Sequence, residues 1–255
     1  EGSTVVGGGS PFYEQACAPV TSDGPEREED MASKVKPDGR EGKPTNFDHK
    51  AAERSIVGIV GKKDKIVGMG AVIAHNLIAT VTHCLPRDRH GHVVFPNPDE
   101  LGSSPLFVGV KSLDGGCSAD ALIAAADPCS DMAVLSDSTF AGADLPDALK
   151  FREFVAAHEP VRMRAYRAPR ALNPKGIWVH VRNQLGRWVE GTAHGNEIDF
   201  GDSDRIGGGT SGCPVFDDAG LVLGLVSNGD VNGATGRLSF LSEGLPGWVL
   251  NWLSK

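Results

Sequence analysis

From residue 55 onward the apolar positions come in short β-branched runs cut by turn residues, a pattern that predicts strands. Ser55-Ile-Val-Gly-Ile-Val-Gly61 and Ile66-Val-Gly-Met-Gly-Ala-Val-Ile73 flank the polar Lys62-Lys-Asp-Lys65 and read as a hairpin. His75-Asn76 makes the next turn, and Leu77-Ile-Ala-Thr-Val-Thr82 is expected as a third strand ending on His83 and Cys84. Further strands are expected at Leu106–Val110 and at Val161-Arg-Met-Arg-Ala-Tyr166, where apolar and basic residues take opposite faces. Ile177–Arg182 turns through Asn183-Gln-Leu-Gly186 into Arg187–Gly191, and Pro214–Phe216 turns through Asp217-Asp-Ala-Gly220 into Leu221–Val226. Only Leu245, Val249, Trp252 and Leu253 fall at helical spacing, so one C-terminal helix, with Pro246 in its first turn, is expected to close the chain.

Residues 1–52 read differently. Gly7-Gly-Gly-Ser10 is followed by the densely charged Thr21–Lys50, in which only Met31, Val35 and Phe47 are appreciably apolar, the composition of a flexible tail or linker. Removing residues 1–50 is therefore expected to leave the melting midpoint nearly unchanged. The remainder divides into 53–150 and 151–255, an all-β chain with too many turn residues for a helical bundle.

Composition narrows the partners. A chain that is 40% hydrophobic can bury a core, whereas a net charge of −8 with no concentrated Lys or Arg disfavours nucleic acid. The sequence has no uninterrupted apolar run of about 18 residues to span a bilayer, and its first residues lack the basic-then-apolar layout of a secretory leader, so no membrane partner is expected. Cys17, Cys84, Cys117, Cys129 and Cys213 cannot all pair, and they are too sparse for a disulfide scaffold, which points to a reducing, cytoplasmic setting. A single Cys117–Cys129 bridge in an exported protein is the alternative. The chain does not begin with Met, so other domains of a larger protein are a further partner class.

Three segments stand out together: Thr80-Val-Thr-His-Cys84, Asp131-Met-Ala-Val-Leu135 and Gly207-Gly-Gly-Thr-Ser-Gly-Cys-Pro-Val215. Each alone has an ordinary explanation: a structural histidine, a turn-capping aspartate, a glycine-rich loop. Their order, His then Asp then Ser, with each at a strand end, is what a nucleophilic triad needs. A serine hydroxyl is a poor nucleophile until an imidazole takes its proton, the part assigned to His83. The imidazolium formed in the transition state needs a carboxylate on its far nitrogen, the part assigned to Asp131. The glycines before Ser211 let the N–H groups of Gly209 and Ser211 turn toward an oxygen that becomes negative on attack.

These residues resemble the trypsin/chymotrypsin-like serine peptidases. In that family a Thr-Ala-Ala-His-Cys strand end is matched here by Thr80-Val-Thr-His-Cys84, and an Asp-Ile-Ala-Leu-Leu-like strand by Asp131-Met-Ala-Val-Leu135. Gly-Asp-Ser-Gly-Gly-Pro corresponds to Gly209-Thr-Ser-Gly-Cys-Pro214, and Gly-Ile-Val-Ser-Trp-Gly to Gly224-Leu-Val-Ser-Asn-Gly229. The resemblance covers about residues 55–255 and implies two packed antiparallel six-stranded β-barrels. It implies a serine endopeptidase acting on protein or peptide substrates through His83, Asp131 and Ser211, with no cofactor and no metal. An idle peptide-binding module of the same fold and a non-peptide esterase are the rival readings. The α/β-hydrolases run Ser, Asp, His on a strand-to-helix elbow, and in subtilisin-like enzymes the Ser opens a helix; the hairpin after Ser211 excludes both.

Departures from the family pattern refine this expectation. No cysteine stands near Gly68-Met-Gly70 to bridge Cys84, and Thr210 replaces the acidic residue that secreted members bury after zymogen cleavage. Ile56-Val-Gly58 reads as a first strand, not an activation site. The resemblance therefore leans to the disulfide-poor bacterial, HtrA-like and viral branches. It also places the floor of the primary specificity pocket at Arg205 and its wall at Ser227, Asn228 and Gly229. Arg205 either faces the pocket and favours an acidic side chain, or pairs with Asp202 or Asp204 and leaves Ile206, Val226 and glycines to suit a small apolar one. Cys84, His90 and His92 fit a solvated turn better than a zinc pattern, His194 is expected on the surface, and Trp248 and Trp252 are expected to anchor the last helix.

Overall fold

The computed structural model describes residues 47–87, 93, 107–138, 144–163, 176–201, 206–229 and 235–240. Arg205, His90, His92, Trp248, Trp252 and the expected helix at 245–253 lie outside them.

Six antiparallel strands close the first barrel: β1 (Ile56–Val60), β2 (Ile66–Ala74), β3 (Leu77–Thr80), β4 (Val108–Ser112), β5 (Ser118–Asp127) and β6 (Met132–Ser136). Their order is β1-β2-β3-β6-β5-β4, with β4 returning to β1. Ile56, Ile59, Ile78, Leu122, Met132 and Leu135 are fully buried and fill it. The third strand stops at Thr80, not Thr82, because Val81 gives way to a one-turn 3-10 segment, Thr82–Cys84, closed by Cys84 N–H to the Val81 carbonyl. β5 is the strand the pattern hides: Ser-Ala-Asp-Ala-Leu-Ile-Ala-Ala-Ala-Asp has little β-propensity, and pairing with β4 on one side and β6 on the other holds it extended.

The second barrel is formed by β8 (Ile177–Arg182), β9 (Trp188–His194), β10 (Glu197–Asp199), β11 (Pro214–Asp217), β12 (Leu221–Gly229) and β13 (Thr235–Phe240). The order β11-β8-β9-β10-β13-β12 closes through β11 on β12. The strand expected at 161–166 appears as β7 (Arg162–Met163), which runs parallel to β12 at Leu221 and Val222 and so departs from an all-antiparallel arrangement.

Two helices fall outside the strand pattern. Asp147 caps α2 (Ala148–Ala156) by accepting from Lys150 N–H at 3.2 Å, and Phe151, Phe154 and Val155 bury the face that packs on β5. Cap and i, i+3, i+4 spacing are a second helical signal in the sequence, one that the expectation of a lone C-terminal helix passes over. Asp48 caps α1 (His49–Glu53) in the same way. Ahead of it Phe47 is buried, stacked flat on the His180 ring at 4.2 Å, with Trp188 and Phe216 at 5.3 and 5.6 Å. The folded body thus includes residues 47–52, which the charged composition assigns to the tail, because one aromatic side chain finds a pocket on the second barrel.

Candidate active site

β3 and β6 pair with Thr80 opposite Ala133, so the chain leaving β3 and the chain entering β6 emerge at one end of the first barrel. Thr82 ties them together: its N–H donates to the Asp131 carbonyl at 3.4 Å and its hydroxyl to the Met132 carbonyl at 3.0 Å. Asp131 adopts φ 51°, a left-handed conformation that Asp tolerates better than most residues.

The Asp131 carboxylate faces His83. Its Oδ1 accepts from the His83 backbone N–H at 3.1 Å, and its Oδ2 accepts from the His83 ring at Nδ1 at 2.8 Å. A carboxylate anion only accepts, so Nδ1 carries the hydrogen and Nε2 is the acceptor nitrogen of the ring. Oδ2 also accepts from the Ser227 hydroxyl at 2.6 Å. Burial opposes ionisation of Asp131, but the hydrogen bond and charge of His83, then the bonds from Ser227 and the His83 amide, outweigh it and hold the carboxyl below its ordinary range.

Ser211 arrives from the second barrel. Its carbonyl accepts from Met69 N–H of β2 at 2.7 Å, and the next amide, Gly212 N–H, donates to the Val226 carbonyl of β12 at 2.7 Å. Gly212 has φ 83°, and a Cβ there would lie 1.9 Å from the Met69 carbonyl oxygen, so only glycine lets this loop approach β2. A Cβ on Gly68 would meet Cys84 Sγ at 2.4 Å and the Ser211 carbonyl at 3.0 Å. The serine backbone and the residue following His83 therefore flank a single glycine. Ser211 is part-exposed, whereas its neighbours Thr210 and Gly212 are buried. Neither the Gly209 nor the Ser211 N–H has an acceptor among the described residues.

Ser227, expected in the pocket wall, gives its hydroxyl to Asp131. The missed signal is a hydroxyl residue continuing the buried run Val222–Val226, where a buried polar group must find a partner. Asn228 and Gly229 are exposed at the end of β12, opposite Arg237 and Gly236. Ile206 is buried, its side chain facing both Gly229 and Gly236. His194 is exposed at the end of β9.

Cys84 and Cys213 are buried thiols, neither in a disulfide, beside His83 and Ser211, and burial pushes Cys213 up to about 12, leaving it a protonated packing residue. Cys117 and Cys129 are free and exposed, so the bridge between them is not formed.

No protein-family model matches this sequence, and no curated protein matches it. Solved structures do. The serine endoprotease from Yersinia pestis superposes with TM-score 0.50 at 16% identity, over 80% of this chain and 64% of its own, so this chain spans under two thirds of that protein's length. The active form of the Rv3671c protease from M. tuberculosis is 20% identical over 90% of this chain and 93% of its own, with TM-score 0.48. A human pathogenic astrovirus serine protease is 17% identical over 74% and 90%, with TM-score 0.44. At these identities the likeness concerns the fold, which is the double β-barrel of the trypsin/chymotrypsin-like serine proteases.

Proposed function

We propose that the protein is a serine endopeptidase with Ser211 as nucleophile, His83 as general base and acid, and Asp131 as the carboxylate that orients and stabilises the imidazole. The observation that carries this reading is the Asp131 carboxylate, which holds the His83 ring at Nδ1 and its backbone N–H at once and so presents Nε2 as proton acceptor.

The Ser211 hydroxyl oxygen bonds to the scissile carbonyl carbon while its proton passes to His83 Nε2. The carbonyl oxygen becomes an anion, for which the Gly209 and Ser211 N–H groups are the donors. The tetrahedral adduct collapses, the C–N bond breaks, and the proton on Nε2 moves to the leaving amine. Water then attacks the acyl-Ser211 ester, giving its proton to Nε2, which returns it to the serine oxygen as the carboxylic acid departs. The end of β12 supplies an extended edge against which a substrate backbone can add as a further strand.

The test is digestion of denatured casein and turnover of p-nitrophenyl acetate by the wild type and by Ser211→Ala. The proposal expects the wild type to cleave casein and the variant to lose both activities. Ester turnover without casein cleavage assigns an esterase, and no turnover of either assigns a binding module; each result overturns the proposal.

A further inference from the structure

The three glycines before the nucleophile have no side chains to hold them, so something else must fix the amides of the loop. Among the described residues, one side chain from another hairpin reaches it. Gln184, in the β8–β9 turn, accepts through Oε1 from Gly207 N–H at 2.9 Å and from the Thr210 hydroxyl at 2.7 Å. Its own backbone N–H donates to the Thr210 hydroxyl oxygen at 3.1 Å. Thr210 is 1% exposed, and its N–H closes the loop onto the Gly207 carbonyl at 3.0 Å.

The loop also lies against this side chain. A Cβ on Gly207 would stand 2.7 Å from Gln184 Nε2, and one on Gly209, where φ is 97°, 3.4 Å from Gln184 Cβ. Both ends of the Gly207–Thr210 turn are thus bonded to one residue of a different hairpin. At Ser211 and Gly212 the chain is tied by backbone bonds to Met69 and Val226. Gln184 is held in its turn by Asn183, whose side-chain oxygen accepts from Leu185 and Arg187 N–H, both at 3.0 Å.

We infer that Gln184 is a positioning residue which, through Thr210, fixes the glycine loop so that the Gly209 and Ser211 amides stay directed at the developing oxyanion. Nothing in this latch needs a new N-terminus or a buried ion pair, because the residue before the nucleophile is a neutral threonine bonded within the fold. The latch senses the reaction only through the loop: it touches neither substrate nor reacting atoms. Its loss should lower the rate of tetrahedral adduct formation while leaving ground-state binding nearly intact. The inference rests on the serine peptidase reading above.

The experiment compares wild type, Gln184→Ala, Thr210→Val, the double variant and Thr210→Ser. Three quantities are read: kcat and KM on p-nitrophenyl acetate, the second-order rate of labelling by a fluorophosphonate, and the melting midpoint. We expect Gln184→Ala and Thr210→Val each to lower kcat and the labelling rate about 10–100-fold, less than the roughly 10²–10³-fold cost of removing an oxyanion donor outright, with KM changed less than about threefold. The double variant should be no worse than the poorer single one, since both break one latch. Thr210→Ser keeps the bridging oxygen and should recover most of the rate. Wild-type labelling with unchanged rates in Gln184→Ala and Thr210→Val overturns the latch alone, as do rate losses that follow the melting midpoint or that add in the double variant. Absence of labelling in the wild type overturns the peptidase reading itself.

Discussion

The two barrels present their parts of the site by different means. His83 and Asp131 stand where two paired strands of the first barrel end together, with Thr82 bonding one connection to the other. Ser211 stands on a loop of the second barrel whose glycines make no side-chain contacts of their own and whose geometry depends on Gln184 and on close backbone approach to β2. The first arrangement is stiff because the sheet itself sets it; the second is stiff only while particular bonds hold. A side-chain bond joins them, from Ser227 on β12 to Asp131 before β6, beside the backbone bond from Met69 N–H of β2 to the Ser211 carbonyl. The difference teaches where each half of the proposed site is vulnerable: His83 and Asp131 to loss of charge or orientation, Ser211 to loss of a neutral hydrogen bond.

Removing the imidazole makes the largest expected break. His83→Ala should reduce kcat on p-nitrophenyl acetate by about 10⁴-fold or more, and Asp131→Asn by about 10³–10⁴-fold, because the amide no longer stabilises the imidazolium. Initial-rate kinetics reads both, and a loss under tenfold for either contradicts its role.

Next comes a substitution remote from the cleft. Phe47→Ala should destabilise the fold by about 3 kcal/mol, since it empties the stack on His180, yet leave kcat and KM of the folded fraction near those of wild type. Denaturant unfolding and kinetics below the transition check this. Deleting residues 1–50 takes Phe47 with it, so the composition-based expectation of an unchanged melting midpoint becomes one of a lowered midpoint.

Ser227→Ala tests the side-chain bond that joins the two halves at Asp131. It should lower kcat about tenfold, less than Asp131→Asn, because it removes one of three donors to the carboxylate and leaves both from His83. A loss equal to that of Asp131→Asn would mean that Ser227 does more than orient.

The smallest effect concerns acid. The Asp131 carboxyl titrates lower in the fold than when unfolded, where its value is near 3.8. Its contribution to stability is therefore complete above that unfolded value and is lost as pH falls through the lower folded one. The melting-midpoint gap between wild type and Asp131→Asn should be steady down to about pH 4 and narrow below it. A gap that widens on acidification contradicts the assigned direction.

Much of the double barrel was legible because its strands are β-branched runs with polar turns between them, as in β1, β2, β8 and β12. What escaped did so for identifiable reasons. The alanines of β5 have no strand preference, and pairing on both sides decides for them. β10 has only three residues, too few to show an alternation. α2 escaped although Asp147 and the spacing of Phe151, Phe154 and Val155 carry its signal. His83, Asp131 and Ser211 were legible as residue types at strand ends. The partner of Thr210 was not, since Gln184 lies 26 positions away in a turn that local pattern reads only as a turn. Phe47 illustrates the reverse limit, a single aromatic in a charged stretch whose burial depends on a pocket made by His180, Trp188 and Phe216.

The most direct test of the central claim is the site of covalent labelling. Wild-type protein is treated with a fluorophosphonate, digested and mapped by mass spectrometry, alongside Ser211→Ala and His83→Ala. The account predicts a single adduct on Ser211 in the wild type, none in Ser211→Ala, and labelling slowed by orders of magnitude in His83→Ala. An unlabelled wild type, or an adduct formed equally well without Ser211 or without His83, would contradict it.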